Sequence, residues 1–285
     1  MSSWDEEPVV FACGDDELVG ILHRGAAPIA RCGVLVIVGG PQYRIGSHRQ
    51  FTVMARALAA ARIPVLRFDY RSLGDSSGEA RTFEQISADI AAAVDAFCRA
   101  VPALQQIVLW GLCDAASAIM MSARTHERVA GWALVNPESR TSVSEAQAYV
   151  RHYYLQRLLQ RSFWRKVFSG QVNPLASAAG LFGTLRQAMA RGQAPADARA
   201  VSYVERMLRG LQQFPGPVMI FLSGRDLTAR AFESLSATAG EWQRALAAKR
   251  IHYHRLPEAD HTFSARVALD EATAALIQWL RESLG

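Results

Sequence analysis

The chain has 285 residues, of which 50% are hydrophobic and 20% charged, a balance that excludes an intrinsically disordered chain and suits a globular protein with a sizeable core. That length accommodates one α/β domain with an insertion. The formal net charge of +5 is too modest to define a function, and most of the excess is arginine gathered in one region.

In chain order, Val9 to Ala12 and Leu18 to His23 flank a Gly14-Asp15-Asp16 turn and predict a hairpin. Val34 to Val38 is a β-branched run of the kind buried on both sheet faces, and Gly39-Gly40-Pro41 ends it. Helical spacing follows from His48 to Ala61, a second buried strand from Pro64 to Phe68, and another helix from Glu84 to Cys98. The Ile107 strand leads into a helix from Asp114 to about Arg124, and Val129 to Val135 is the next strand. Val218 to Leu222 and Ile251 to Leu256 complete the strands, with one helix from Ala229 to Lys249 between them and a final helix from about Ala265 to Leu284. Such alternation predicts a mostly parallel sheet with right-handed crossovers, flanked by helices. Residues 137–210 break the pattern with helix-forming sequence, and read as a helical lid inserted into a core of residues 1–136 and 211–285.

The segment Leu109-Trp110-Gly111-Leu112-Cys113-Asp114-Ala115-Ala116 carries the chemistry. An apolar strand passes through small residues into a helix, the pattern of a nucleophile elbow with cysteine as its apex. The sharp turn requires small residues two positions away on either side, and Gly111 and Ala115 satisfy this. Cys113 would stand at a helix N-terminus, where free N–H groups favour a thiolate. The alternative is a buried structural cysteine.

A cysteine nucleophile needs a base and an acid to orient it, in the chain order nucleophile, acid, histidine. Asp226 follows the Val218 strand and His261 the Ile251 strand, each by a few residues, at the carboxyl ends where such groups gather. Asp226 also reads as a helix N-cap, and His261 as a cap or a solvated residue. Asp260 competes as the acid, but a neighbour in sequence rarely reaches back to the adjacent ring. The oxyanion hole is expected from the N–H of Asp114 and one from the loop after the Val34 strand, at Gln42 or Tyr43. Gly40, Tyr43 and His48 are expected to border the substrate, although solvent-facing capping is the commoner role for a histidine placed like His48.

These segments, with Asp69-Tyr70-Arg71-Ser72-Leu73-Gly74-Asp75-Ser76-Ser77-Gly78 and Asp260-His261-Thr262-Phe263, resemble the α/β-hydrolase superfamily. Within it, Gly39 to Gln50 and Gly111 to Ala116 resemble the exosortase A system-associated hydrolase 1 group. The resemblance covers the chain outside the lid. It implies an eight-stranded sheet, a Cys113–Asp226–His261 triad, and an association with bacterial exopolysaccharide and exosortase systems. Two departures stand out. Ser72 occupies the usual glycine position of the Asp-x-Arg-Gly motif, so that loop is expected to differ in shape. Cysteine in place of serine is similar to the dienelactone hydrolases and polyester synthases, whose type of acyl-enzyme can be passed to acceptors other than water.

Between positions 151 and 209 of the lid, arginines 151, 157, 161, 165, 186, 191, 199, 206 and 209, with Lys166, are accompanied only by Asp197 and Glu205. They suit an anionic small-molecule or lipid-linked acyl substrate, or peripheral contact with a membrane surface, while a solvated helical face is the commoner meaning of such charge. No nucleotide cradle is present, no reading motif points to nucleic acid, and no cofactor is expected. His252 and His254 share a strand face but make a weak metal pair, so no metal is expected. The four cysteines lack C-x-x-C pairing, Met1 to Glu7 lacks the pattern of a signal peptide, and Val172 to Leu185 is too short to span a bilayer, so a cytoplasmic location is expected. The expected activity is ester or thioester hydrolysis through an acyl-cysteine, with acyl transfer on the same residues or a non-catalytic binding module as alternatives.

Overall fold

A computed structural model describes residues 4–27, 30–40, 42–122, 126–140, 201–248 and 250–285. Most of the expected lid, residues 141–200, lies outside these, as do its arginines from 151 to 199.

The eight strands are β1 (Trp4–Cys13), β2 (Asp16–Gly25), β3 (Cys32–Ile37), β4 (Val65–Phe68), β5 (Gln106–Leu112), β6 (Val129–Val135), β7 (Val218–Ser223) and β8 (Ile251–Leu256). They form one sheet in the order β1-β2-β4-β3-β5-β6-β7-β8. The hairpin β1–β2 pairs antiparallel, and β2 pairs antiparallel with β4. Every pairing from β4 through β3 to β8 is parallel. Strands β3, β4 and β7 are buried at every position, Arg67 and Ser223 included, as strands covered on both faces are.

Alternate side chains of these strands build two cores. Val34, Val36, Val108, Trp110, Ala133 and Phe221 pack against helices α1 (Gln50–Ala60) and α7 (Arg266–Leu284). Leu35, Ile37, Leu109, Trp132, Leu134 and Ile220 face the other way, toward α2 (Ser87–Ala100), α3 (Asp114–Met121), α4 (Tyr203–Gln213), α5 (Leu227–Thr238) and α6 (Gly240–Leu246). Trp132 stacks on Phe214 at a centroid distance of 3.9 Å. The chain leaves this unit after Ser139 and returns at Tyr203. Helix α4 therefore crosses position 210, and its Met207, Leu208 and Leu211 are buried in the second core.

Three expectations are corrected. The single helix over 229–249 is two helices, because Ala239 is extended (φ −94°, ψ 110°) before Gly240; the break seats Trp242 edge-on to Phe232 at 5.6 Å. Helix α1 does not open at His48. His48 and Arg49 have φ of 54° and 59° and form a left-handed turn, so the helix begins at Gln50. The helix after the elbow ends at Met121 rather than near Arg124.

Candidate active site

Strand β5 runs into Cys113, whose φ of 61° and ψ of −121° lie in strained territory for an L-residue. Surrounding hydrogen bonds over-determine that conformation. The Cys113 N–H donates to the Val135 carbonyl at 2.9 Å, and its own carbonyl accepts from the N–H groups of Ser117 and Glu138 at 3.2 Å each. At Gly111 a Cβ would lie 2.8 Å from the Ala115 carbonyl carbon, so glycine is the residue that lets helix α3 leave at this angle. The thiol is half-buried at the apex of the bend, beside the first turn of α3.

His261 and Asp226 arrive from the ends of β8 and β7. Nδ1 of His261 is 2.9 Å from Oδ2 of Asp226. Asp226 is also the N-cap of α5, accepting from Thr228 and Ala229 N–H at 3.1 Å each, so the capping and histidine-orienting readings hold together. These bonds hold the Asp226 carboxyl below its usual range despite burial. The hydrogen bond to Asp226, then one to Cys113, push His261 up to about 10, against burial and with help from both charges. Asp260 faces away: it accepts from Thr262 and Ser264 N–H at 3.2 and 2.9 Å and from the Ser264 hydroxyl.

The loop after β3 lies against the elbow. The Gly40 N–H donates to Oδ2 of Asp114 at 2.9 Å, and the Ala115 N–H to Oδ1 at 2.9 Å. Burial pushes the Asp114 carboxyl up, while the N–H groups of Gly40, Ala115 and Asp114 itself oppose the shift and the Glu138 charge adds to it. The side chain of Gln42 accepts from the Ser47 N–H at 3.1 Å. Among the described residues, the backbone N–H groups of Gln42 and Tyr43 meet no protein acceptor.

The loop is pinned from below by the Asp69–Gly78 motif. Fully buried Asp69 accepts from the Arg44 N–H at 2.6 Å, and the Arg44 guanidinium pairs with both Asp69 and Asp75. Burial pushes Asp69 up and its bonds to Arg44 oppose that. Ser72 is held in the left-handed region. It adopts φ 64°, the conformation glycine would take, and donates to the Ser77 carbonyl at 3.0 Å. Exposed Tyr43 joins Gln42, Leu73, Gly74 and Asp75 around an open depression of about 490 Å³. His48 is exposed; the bonds from Ser264 and Thr262 hold the Asp260 carboxyl low against burial.

Two residues at the site escaped the sequence reading. Oε2 of Glu138 is 4.0 Å from the Cys113 sulfur, and its carbonyl accepts from the Ser117 hydroxyl at 2.7 Å. Asn136, fully buried at φ 46°, accepts from the Ser223 N–H at 2.9 Å. Its amide donates to the Ser223 hydroxyl at 3.0 Å and to the His261 carbonyl at 3.3 Å. Both follow the carboxyl end of β6, the position that could have marked them.

Arg206 pairs with Glu84, and Arg209 with Glu205 at 2.7 Å. His252 lies edge-on to Trp279, and His254 to Phe221. Among the described residues no group of three or more metal-binding side chains occurs, and no helix is long and apolar enough to cross a membrane.

A model of the alpha/beta hydrolase family matches residues 34–278. The chain belongs to that family. This α/β hydrolase is similar to several solved structures at the level of fold. The Pyrococcus furiosus esterase Pf2001 superposes with a TM-score of 0.68 at 15% identity, covering 99% of this chain and 93% of that one. A dienelactone hydrolase from Anabaena variabilis gives 0.63 at 14%, covering 99% and 100%. The α/β hydrolase GrgF from Penicillium sp. gives 0.63 at 20%, covering 98% and 99%. No curated protein matches the chain significantly.

Proposed function

We propose that this α/β hydrolase cleaves an ester or thioester through an acyl-Cys113 intermediate. The observation that carries this reading is one imidazole, His261, hydrogen-bonded to the Asp226 carboxylate at 2.9 Å, with the Cys113 thiol near enough to contribute to its upward shift. With Nδ1 engaged by Asp226, Nε2 is the nitrogen available to Cys113.

Sγ of Cys113 attacks the acyl carbonyl carbon while His261 holds the proton given up by the thiol. The N–H groups of Asp114 and Gln42 hold the oxyanion. The intermediate collapses, and the leaving alkoxide or thiolate takes the proton from His261. Water then gives a proton to His261 and attacks the thioester; the C–S bond breaks, a carboxylic acid leaves, and the thiol is restored. Gly40, Tyr43 and His48 border the substrate, a small-molecule or lipid-linked acyl compound whose anionic character would suit the net charge of +5. The motif resemblance adds an association with bacterial exopolysaccharide and exosortase systems.

Mass spectrometry after exposure to a panel of activated esters and thioesters tests the reading. An acyl adduct is expected on Cys113 and absent in Cys113→Ala; turnover that survives Cys113→Ala overturns it. A cysteine rather than a serine at the elbow favours acyl transfer as the second reading, because thioesters pass readily to acceptors. Acceptor-dependent product with little free acid would select it. Iodoacetamide alkylation no faster at Cys113 than in a free thiol would instead favour a binding module.

A further inference from the structure

The Asp114 side chain is engaged in a way that its place in the elbow does not require. An aspartate in the first turn of a helix ordinarily faces solvent or the helix's own N–H groups. Here one oxygen takes the Ala115 N–H and the other crosses to the Gly40 N–H, each at 2.9 Å. The loop has been fitted to this carboxylate: a Cβ on Gly39 would stand 2.1 Å from Oδ1 and 2.6 Å from the Leu112 carbonyl oxygen.

This contact determines which loop N–H is available to a substrate. Gly40 is occupied by Asp114, and position 41 is proline, which has no N–H. Gln42 is thus the first N–H after Gly40 without a protein acceptor among the described residues. Arg44, two positions on, holds the far side of the loop to Asp69. The loop is thereby fixed at both ends, with the Gln42 N–H between the anchors.

We propose that the Asp114 carboxylate is a positioning residue that clamps the β3 loop to the elbow and so sets the Gln42 N–H as the second oxyanion donor. This rests on the acyl-enzyme reading above. The clamp requires two acceptor atoms, because its two partners are both N–H donors. An amide at position 114 presents one acceptor and turns its NH₂ toward the other donor.

Phenyl trifluoromethyl ketone separates this role from a merely structural one. Sγ adds to its carbonyl carbon, the π pair moves to oxygen, and the thiol proton goes to His261, so affinity depends on the oxyanion donors. Iodoacetamide alkylates the same sulfur by displacing iodide and forms no oxyanion. In Asp114→Asn and Asp114→Ser, ketone affinity read by fluorine NMR is expected to fall on the order of 10–100-fold, somewhat less than the ~10²–10³ for deleting a donor outright. Alkylation of Cys113 is expected to stay within about twofold, since no donor to oxygen takes part. A parallel fall in ketone affinity and alkylation rate, or no change in either, overturns the clamp. No ketone adduct on the wild-type protein overturns the acyl-enzyme reading itself, and the clamp with it.

Discussion

The Oδ2 atom of Asp226 accepts two hydrogen bonds, from Nδ1 of His261 at 2.9 Å and from the Ala229 N–H of helix α5 at 3.1 Å. One side chain thus terminates a helix and orients an imidazole, and α5 holds the carboxylate still for the ring. Asparagine is as good a cap as aspartate but favours the wrong imidazole tautomer.

Asp226→Asn is therefore expected to keep the helix cap while lowering kcat/KM by about 10²- to 10⁴-fold, and to lower the melting temperature only below about pH 10, where the charged pair contributes. Asp226→Ala is expected to lose the cap as well, at about 1 kcal/mol. Thermal melts and steady-state kinetics of both variants check this pair. In Asp226→Asn, an NMR titration should find His261 well below about 10.

The same pair makes stability depend on pH. His261 lies at about 10 in the fold, above its ordinary 6.5, so its contribution is complete below 6.5 and lost as pH rises through about 10. Asp226 is shifted down from 3.8, so its contribution is present above that value and lost in acid. The melting temperature is expected to decline between pH 6.5 and 10 in the wild-type protein and to decline less in His261→Gln, as calorimetry across that range would read.

Ser72 holds φ 64° without the freedom of glycine. Ser72→Gly is expected to relieve the strain and raise stability by up to about 1 kcal/mol, the gain being limited by the added entropy of the unfolded chain. Ser72→Ala keeps the strain and should gain nothing. Urea denaturation of the two variants distinguishes them.

Asn136 joins the end of β6 to Ser223 and to the backbone of His261, and it is fully buried. Asn136→Ala leaves the Ser223 N–H and the His261 carbonyl without this partner, at about 1–3 kcal/mol for an unsatisfied buried group. Asn136→Asp preserves the acceptor for Ser223 but removes both donors, so it should displace the His261 loop. The expected result is a fall in kcat larger than the change in KM, with the fold intact by circular dichroism.

Much of this arrangement is legible along the chain. The β-branched runs and the small residues around Cys113 are local patterns, and local patterns survive in a linear sequence. The choice between Asp226 and Asp260 is less so. It depends on the turn after Asp260, where Thr262 and Ser264 take up that carboxylate. Glu138 and Asn136 carry no signal of their own, since an ordinary acid and amide after a strand acquire meaning only from what lies opposite. The break at Ala239 is hidden for the same reason: alanine is a good helix former, and packing of Trp242 on Phe232 overrides its propensity.

The sequence by itself determined the strand and helix alternation, the elbow and the loop carboxyl-terminal to each strand, because hydrophobic period and residue size act over a few neighbouring positions. The tertiary structure alone decided the bonds between those loops: Asp226 to His261, Asn136 to Ser223, Asp114 to Gly40 and Arg44 to Asp69. Hydrogen bonds reach about 3 Å in any direction, and only the folded sheet brings positions 40 and 114, or 226 and 261, within that reach.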